Sequence, residues 1–284
     1  MFKIIHISVI FSRNVTSKQK FILRIVFLKL KNTEIYFESY GVGKPLILLH
    51  GILECSQMWD FFIQESSKYF KVITVDLLGH GKTSCVDETH SMSLMAEALS
   101  MVLIRLGIIN KISIIGHSMG GYVGLAFAEK YPNKTKDLCL MNSTFLEDDS
   151  NRKQLRTRAV DMAEHHYENL IRMSFINLFS EESKSKYKSE IEDALLLALK
   201  TPLQGFKAAQ NGMRIRPNRF DIFKNIEGKK LIIHGKKDSL ININEHKKVI
   251  ENTDISIIEL PEGHMSHIEN KNELTRVLKS FLNF

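Results

Sequence analysis

The feature that most constrains this chain is the pentapeptide Gly116-His117-Ser118-Met119-Gly120, which lies between a strand-like and a helix-like segment. The apolar run 111–115 before it predicts a buried strand, and the apolar segment that ends near Tyr131 predicts a helix. A serine on such a sharp turn has strained backbone, so the residues two positions away must be very small, and both are glycine. The first amides of the helix point at the same place and can stabilise an oxyanion. The pattern predicts a nucleophile at Ser118.

The composition predicts an ordinary globular protein with one main domain. The 284 residues are 44% hydrophobic and 25% charged, which supplies enough apolar material for a large core. The net charge of +7 is modest and the basic residues are interspersed with acidic ones, so no nucleic-acid partner is expected. Cys55, Cys85 and Cys139 lack Cys-x-x-Cys spacing, which argues against a disulfide scaffold and favours a reducing, cytoplasmic location.

The segment Met1–Arg24 contains a short apolar stretch at 4–11 after a single lysine. This stretch resembles a weak secretion signal, but no small-residue cleavage site follows it, so secretion is the less favoured alternative. No apolar run approaches the ~20 residues that span a bilayer, which predicts no stable membrane insertion. We interpret residues 1–24 as an N-terminal extension of unknown role.

Strand-like and helix-like segments alternate along most of the chain. Alternation of apolar and polar residues predicts a β-hairpin over 25–38. Continuous apolar runs predict buried parallel strands, and helical periodicity predicts helices between them, with strands at 46–49, 71–75, 111–115, 136–142, 230–235 and 255–260 and the later helices near 92–106, 245–251 and 266–282. This rhythm predicts an α/β fold with a mostly parallel central sheet flanked by helices.

The βα rhythm stops over residues 145–220. This stretch is long, helical and mixed in charge, and the rhythm resumes after it. We interpret 145–220 as an inserted helical cap, or lid, on a core that comprises 25–144 and 221–284.

A serine nucleophile needs a base, and the base needs a third group that orients it. In a parallel sheet, catalytic groups gather at the carboxyl ends of the strands. Asp238 follows the strand 230–235, and His264 follows the strand 255–260. The resulting chain order of serine, acid and histidine is the order that this type of fold uses.

Other acids and histidines are weaker candidates. Asp148 and Asp149 follow the preceding strand at a greater distance, and Asp76 lies in a glycine-punctuated loop. His267 lies three residues beyond His264 in the closing helix, whereas the glycine before His264 leaves that loop free to fold over the serine. We therefore expect Asp238 and His264 to be the partners of the serine.

Two backbone amides should hold the oxyanion of the tetrahedral intermediate, each contributing about 3 kcal/mol. The amide after the nucleophile belongs to Met119. The loop that follows His50 and Gly51 should supply the second amide, which makes Ile52 the candidate. His50 itself is expected to anchor this loop by hydrogen bonds.

Several motifs together resemble the α/β-hydrolase superfamily, over a span from about Ile25 to the C-terminus. The motifs are His50-Gly51 with Trp59 downstream, the loop 76–84, the pentapeptide with Gly121, the segment 234–238 and Gly263-His264. The chain looks most like the small lidded serine esterases and enol-lactonases. This resemblance implies a Ser118–His264–Asp238 triad with an oxyanion hole of Ile52 and Met119, and it puts His50, Gly51, Trp59 and His117 beside the substrate. Serine at 118 argues against the related dehalogenases and epoxide hydrolases, which attack with a carboxylate.

These observations predict a serine hydrolase that cleaves a carboxylic ester or related acyl bond of a small, largely apolar substrate. Thioesterase, enol-lactonase, C–C bond hydrolase and cofactor-free haloperoxidase-like activities would use the same triad and stay open. A ligand receptor that has lost turnover is the rival from another class. No cofactor and no metal are expected, because His165-His166 in the cap has no ligand cluster around it and reads as a solvated helix face. A homodimer is left open.

Three arginines, Arg214, Arg216 and Arg219, lie near the return of the cap to the sheet. They could hold a substrate carboxylate or an acidic carrier protein. The alternative interpretation is that they are solvated charges.

Overall fold

The computed structural model describes residues 7–8, 25–30 and 33–284, and its described strands form one nine-stranded sheet. The strands are β1 (Ile7–Ser8), β2 (Ile25–Leu30), β3 (Thr33–Tyr40), β4 (Lys44–Leu49), β5 (Phe70–Val75), β6 (Ile112–His117), β7 (Thr135–Met141), β8 (Lys230–Gly235) and β9 (Ser256–Leu260). Their order is β1-β2-β3-β5-β4-β6-β7-β8-β9. The pairs from β1 to β5 are antiparallel, and all pairs from β5 to β9 are parallel. The predicted mostly parallel sheet is therefore confirmed.

The amino-terminal predictions fall partly outside the described residues. The hairpin of β2 and β3 is present, with Leu30 opposite Thr33, but its turn residue Asn32 is outside them. Most of the predicted extension 1–24 is also outside, so its role stays a prediction.

Helices flank the described sheet and fill the predicted cap. They are α1 (Asp60–Ser66), α2 (Met92–Arg105), α3 (Met119–Lys130), α4 (Ser150–Ile176), α5 (Glu181–Lys186), α6 (Lys188–Ala198), α7 (Leu203–Arg214), α8 (Phe220–Lys224), α9 (Ile243–Val249), α10 (Ser266–Glu269) and α11 (Lys271–Leu282). The single closing helix predicted over 266–282 is wrong in one respect. Asn270 has φ −129° and ψ 30°, so the chain leaves helical geometry there and forms α10 and α11.

The sheet separates two apolar cores. On β4, Ile47 and Leu49 pack into the core that contains α2 and α3, whereas Leu46 and Leu48 pack into the core that contains α1 and α11. All four side chains are fully buried. A strand covered on both faces has no polar side to alternate with, which explains the continuous apolar run in the sequence.

The helices α4, α6 and α7 form a third apolar cluster together with residues from the carboxyl edge of the sheet. Ile171, Phe175 and Phe206 pack there with Leu53 and Met265, which belong to the loops after β4 and β9. The helical segment therefore covers these two loops. Within the described part of the chain, no helix combines the length and apolar character needed to cross a membrane.

Candidate active site

Ser118 lies where β6 ends and α3 begins, in a backbone conformation that few non-glycine residues adopt. Its φ is 48° and its ψ is −115°, and such a conformation costs about 1–3 kcal/mol. Ser118 N donates to the Met141 carbonyl at 2.9 Å, and Ser143 Oγ donates to the Ser118 carbonyl at 2.7 Å. The end of β7 and the residues after it therefore hold the strained turn in place.

Close backbone contacts require the two glycines of the pentapeptide. A Cβ atom on Gly116 would lie 2.4 Å from the carbonyl oxygen of Gly120, and one on Gly120 would lie 2.4 Å from the carbonyl oxygen of Leu49. A larger residue at either position would push α3 away from β4 and β6. The predicted need for glycine at both positions agrees with this geometry, but the clash would be with the backbone of Gly120 and Leu49 and not with the serine.

Asp238 and His264 lie together after the adjacent strands β8 and β9. His264 Nδ1 donates to Asp238 Oδ2 over 2.8 Å, and both side chains are buried. Leu240 N donates to Asp238 Oδ1 at 2.8 Å. Burial alone would raise the pKa of Asp238, but the charge and hydrogen bond of His264 outweigh it and lower the pKa to about 2. Asp238 is therefore ionised at neutral pH and fixes the proton of His264 on Nδ1.

This tautomer leaves His264 Nε2 as the nitrogen that can accept a proton. In the described part of the chain, no hydrogen bond joins Ser118 Oγ to His264, and contacts between nucleophile and base are often longer before substrate binds. His117, which directly precedes Ser118, links the serine turn to the histidine loop, because its Nε2 donates to the His264 carbonyl at 3.1 Å. The ring centroids of His117 and His264 are 5.2 Å apart.

The loop after β4 packs directly against the serine turn. A Cβ atom on Gly51 would lie 3.2 Å from Ser118 Cβ. Gly51 and Ser118 make this contact, and each is followed directly by a candidate oxyanion donor. Ile52 follows Gly51, and Met119 follows Ser118. Neither amide has a hydrogen-bond partner among the described residues, so both are available to an oxyanion.

The expected substrate contacts of His50, Gly51, Trp59 and His117 stay predictions, and all four residues are buried. Trp59 is fully buried in the core that contains α1 and α11. His50 Nδ1 donates to the Gly51 carbonyl at 2.7 Å, and Leu77 N donates to His50 Nε2 at 2.8 Å. The expectation that His50 anchors its loop agrees with these bonds.

Gly51 and His117 both contact another group of the protein, the carboxylate of Glu54. Gly51 N donates to Glu54 Oε2 at 2.6 Å, and His117 Nδ1 lies 2.7 Å from the same oxygen. Gly51 and His117 therefore help to hold the loop after β4 against the serine turn.

The competing acids all have other partners. Asp148 is paired with Arg156 and Arg216. Asp149 accepts a hydrogen bond from Arg152 N at the start of α4. Asp76 accepts hydrogen bonds from Ser56 N and Lys82 N, at 2.8 and 2.9 Å, and so closes its own loop.

The competing histidines have surroundings that differ from those of His264. His267 is on α10 and faces Glu54, with 3.5 Å between His267 Nε2 and Glu54 Oε1. His165 and His166 are exposed on α4, as expected for a solvated face, and the helix is kinked at His166, where φ is −137° and ψ is 37°.

The interpretation of the arginine cluster is wrong for two of its members. Arg216 is buried, lies 2.7 Å from Asp148 and covers the Tyr122 ring at 4.1 Å. Arg219 is buried beside Glu129 at 2.8 Å. The Arg216–Asp148 pair is internal, whereas Arg219 pairs from a buried position with an exposed glutamate, so neither arginine is a solvated, unpaired charge. Arg214 alone faces an open groove, lined by Lys153, Gln154, Thr157, Arg158 and Arg214.

Two polar residues of the site were not predicted from the sequence. Asn142, directly after β7, has a φ of 45°, and its Nδ2 donates to Asp238 Oδ2 at 3.1 Å and to the Gly263 carbonyl at 3.3 Å. It therefore joins the loops of the acid and the histidine. The sequence could have indicated Asn142, because asparagine tolerates a left-handed backbone conformation and this residue directly follows a buried strand, at the edge where the other strands end. Glu54 is the second such residue.

The cap touches the histidine loop through backbone hydrogen bonds. His264 N donates to the Leu178 carbonyl at 2.9 Å. The buried carboxylate of Glu269 accepts from Ser180 N at 2.9 Å and from Met265 N at 3.0 Å. The chain segment after α4 is thus part of the support of His264.

Among the described residues, one group has the composition and spacing of a metal site, formed by Glu54, His117 and His267. The ligand atoms lie within 4.8 Å of one another. However, both ring nitrogens of His117 already face acceptors, Glu54 Oε2 and the His264 carbonyl. A nitrogen that carries a proton has no lone pair for a metal, so the contacts of His117 favour an ion pair over a metal centre.

The family model described as the alpha/beta hydrolase fold matches residues 44–271. The chain therefore belongs to the α/β-hydrolase family, which confirms the resemblance seen in its motifs, and it is a hydrolase.

Similar proteins differ in the bond that they are named for. The chain is 24% identical to a 2-hydroxy-6-oxo-6-(2'-aminophenyl)hexa-2,4-dienoic acid hydrolase of Metapseudomonas resinovorans, over 90% of each sequence. A solved thermophilic esterase from Thermogutta terrifontis is 26% identical, covers 98% of both chains and has a TM-score of 0.83. An enol-lactonase from Burkholderia xenovorans LB400 is similar in fold, with 17% identity, 91% of this chain and 100% of that chain covered and a TM-score of 0.83.

Proposed function

We propose that this hydrolase uses Ser118, His264 and Asp238 to cleave a carboxylic ester or a related acyl bond of a small, largely apolar substrate. The observation that carries the proposal is the 2.8 Å contact between Asp238 and His264 at the same sheet edge as the strained Ser118 turn. A histidine whose Nδ1 proton is held by an ionised carboxylate presents Nε2 as a base.

The reaction then follows two half-steps. His264 Nε2 takes the hydroxyl proton as Ser118 Oγ attacks the carbonyl carbon, and the C–O bond of the leaving alcohol breaks as His264 returns the proton to the alcohol oxygen. Water gives a proton to His264 and attacks the acyl-enzyme, and the acid leaves while Ser118 recovers its proton. Asp238 stabilises the charged His264 in both half-steps.

The amides of Ile52 and Met119 are proposed to hold the oxyanion in both half-steps. Their support is the direct packing of the Gly51 loop on the serine turn and the absence of other partners for these amides in the described residues. Each donor would lower the barrier by about 3 kcal/mol.

We infer that residues 145–220 act as a cap that selects the substrate. The support for this inference is the apolar cluster that joins the cap helices to Leu53 and Met265 beside the two catalytic loops. Apolar surroundings of this kind favour a small hydrophobic acyl or alcohol group.

Three further expectations from the sequence stay predictions. They are the absence of a cofactor, a cytoplasmic location and a homodimer.

Hydrolysis of a C–C bond is the second candidate function, and one observation favours it. The relative from Metapseudomonas resinovorans, named as a dienoic acid hydrolase, matches this chain over 90% of both lengths. A panel of p-nitrophenyl esters of increasing chain length, tested beside a vinylogous β-diketone, would rank the two bond types by kcat/KM.

The first test is labelling with a fluorophosphonate probe, followed by intact mass and peptide mapping. We expect one adduct, on Ser118, that is absent in Ser118→Ala and strongly slowed in His264→Ala, together with a loss of about 10⁵-fold or more in kcat for Ser118→Ala. Substitution of the exposed His165 by alanine is the matched control and should leave labelling unchanged. Normal ester turnover by Ser118→Ala would contradict the proposal.

A further inference from the structure

A buried carboxylate lies between the three loops that carry the proposed machinery, although it is not itself part of the triad. Glu54 belongs to the loop after β4, and its side chain is only 7% exposed. Its Oε2 atom accepts from Gly51 N at 2.6 Å and lies 2.7 Å from His117 Nδ1. One oxygen therefore contacts both the oxyanion loop and the serine turn.

The hydrogen-bond partners of His117 determine its protonation. His117 Nε2 is 3.1 Å from the His264 carbonyl, which can only accept, so Nε2 carries a proton. Burial disfavours the charged form of His117, but the Glu54 carboxylate outweighs it and raises the pKa of His117 above its ordinary value of 6.5. Burial alone would raise the pKa of Glu54, but His117 outweighs it and lowers the pKa to about 2. Both ring nitrogens of His117 therefore donate, and the pair is charged at neutral pH.

The other titratable groups around this pair do not neutralise it. His267 Nε2 lies 3.5 Å from Glu54 Oε1, but burial lowers the pKa of His267 to about 4. His50 accepts a hydrogen bond from Leu77 N, and burial lowers its pKa, so it is neutral as well. Asp238 is a further charge that acts on the pair, and it favours a positive His117. His264 faces the pair through its carbonyl and also through its ring, whose centroid lies 5.2 Å from that of His117.

We propose that Glu54 and His117 form a buried ion pair that positions the oxyanion loop, the nucleophile turn and the histidine loop relative to one another. Glu54 fixes the Gly51 amide next to Ile52, and His117 carries the connection from Ser118 to the backbone of His264. Both are positioning residues, since neither touches the reacting atoms. The inference rests on the proposed function, because it assigns the three loops their catalytic roles.

The geometry also explains why a carboxylate is needed at position 54. The single oxygen Oε2 must accept from both Gly51 N and His117 Nδ1. A glutamine oxygen at this place would leave the charged His117 without its counter-ion, and a glutamine nitrogen would face the Gly51 N–H donor to donor. Glu54→Gln therefore loses either the counter-charge of His117 or the hydrogen bond from Gly51 N, depending on how its amide is turned.

The activity test compares Glu54→Gln with Asp137→Asn. Asp137 is a buried, hydrogen-bonded carboxylate at the opposite, amino-terminal end of β7, so its variant controls for the general cost of losing a buried carboxylate. We expect Glu54→Gln to lower kcat for ester hydrolysis on the order of 10²-fold with little change in KM, since loop displacements near 1 Å have effects of this size. Folded Asp137→Asn should retain wild-type kcat.

The pH profile distinguishes positioning from a purely structural role. Wild-type kcat/KM should fall as the pH rises through the raised pKa of His117, because one of its two donated hydrogen bonds is then lost. Without the carboxylate this fall should begin at lower pH in Glu54→Gln. Glu54→Asp keeps the charge and should restore part of the activity and the wild-type position of the alkaline limb. An unchanged kcat and pH profile in Glu54→Gln would overturn the inference.

A direct count of protons on His117 separates this inference from the proposed function. We expect ¹⁵N NMR of the wild-type protein at pH 7 to show protons on both ring nitrogens of His117, with the resonances assigned by their loss in His117→Gln. A neutral His117 would overturn the ion pair, even if Glu54→Gln fails to fold. Retained turnover in Ser118→Ala would instead contradict the triad and leave this proton count as it is.

Discussion

The carboxyl edge of the sheet and the cap helices differ in how their polar groups are held. At the sheet edge, the side chains of Glu54, His117, Asp238 and His264 are all buried and hydrogen-bonded to one another or to neighbouring loops. In α4, only three of 27 residues are buried, and most of its charged residues face solvent. Substitutions in the cap therefore disturb few buried contacts, whereas substitutions at the edge disturb several at once. If residues 145–220 select the substrate as proposed, we expect substitutions in α4 to change substrate preference without a change in the chemistry at the sheet edge.

The largest effect that would test this comparison is expected for Asp238→Asn. An asparagine amide that donates to His264 Nδ1 would move the proton to Nε2, so His264 could no longer accept the proton of Ser118. We expect kcat to fall by about 10⁴-fold with little change in fold. Steady-state kinetics would measure the loss of kcat, and circular dichroism would measure the fold.

The matched variant is Asp149→Asn, which removes the exposed acid at the start of α4. It should lose less than about threefold in kcat, with a small loss of stability, and a similar kinetic loss in both variants would contradict our assignment of the acid.

The arginines at the return of the cap provide a second, smaller test. Arg216→Ala removes a buried partner of Asp148, and we expect a loss of about 3 kcal/mol in the free energy of unfolding. Arg214→Ala changes a partly exposed residue at the groove, where the expected loss is within about 0.5 kcal/mol. Urea denaturation of the two variants would measure the difference. Equal losses of unfolding free energy in the two variants would contradict our distinction between the buried, paired Arg216 and the partly exposed Arg214.

The smallest effect concerns acid stability. Since Asp238 has a pKa of about 2 in the folded chain and an ordinary value of 3.8, its contribution is present above about pH 4 and is lost as the pH falls through 2. This contribution is about 2 kcal/mol. Wild-type protein should therefore lose more unfolding free energy between pH 5 and pH 2 than Asp238→Asn does, by about this amount. Asp161→Asn, an exposed change on α4, should follow the wild-type slope. Parallel slopes for all three proteins would contradict a depressed pKa at Asp238.

Much of the fold could be predicted because its signals are local. Apolar runs mark strands covered on both faces, and Gly116 and Gly120 mark a turn that no larger residue fits. Asp238 and His264 could be selected because a parallel sheet brings the ends of its strands to one edge. None of these inferences needed knowledge of a contact between distant residues.

The errors and omissions involve contacts between distant parts of the chain. Arg219 pairs with Glu129, 90 positions away, and Glu54 pairs with His117, 63 positions away. No spacing rule reveals such partners, so Arg219 was interpreted as a surface or ligand-binding charge and Glu54 was not singled out as a candidate. The place of Trp59 beside the substrate, which rests on the resemblance alone, stays a prediction, and its large apolar ring is buried in the core that contains α1 and α11.

The hydrogen bond from His264 N to the Leu178 carbonyl restricts how the cap can move. A cap that swung away from this side would pull on the loop of the catalytic base, and Ser180, which is bound to Glu269, would have to leave with it. We therefore expect segment 178–180 to serve as the fixed hinge of the cap. Substrate would enter where other cap residues border the core, and the base would stay in register while the entrance opens.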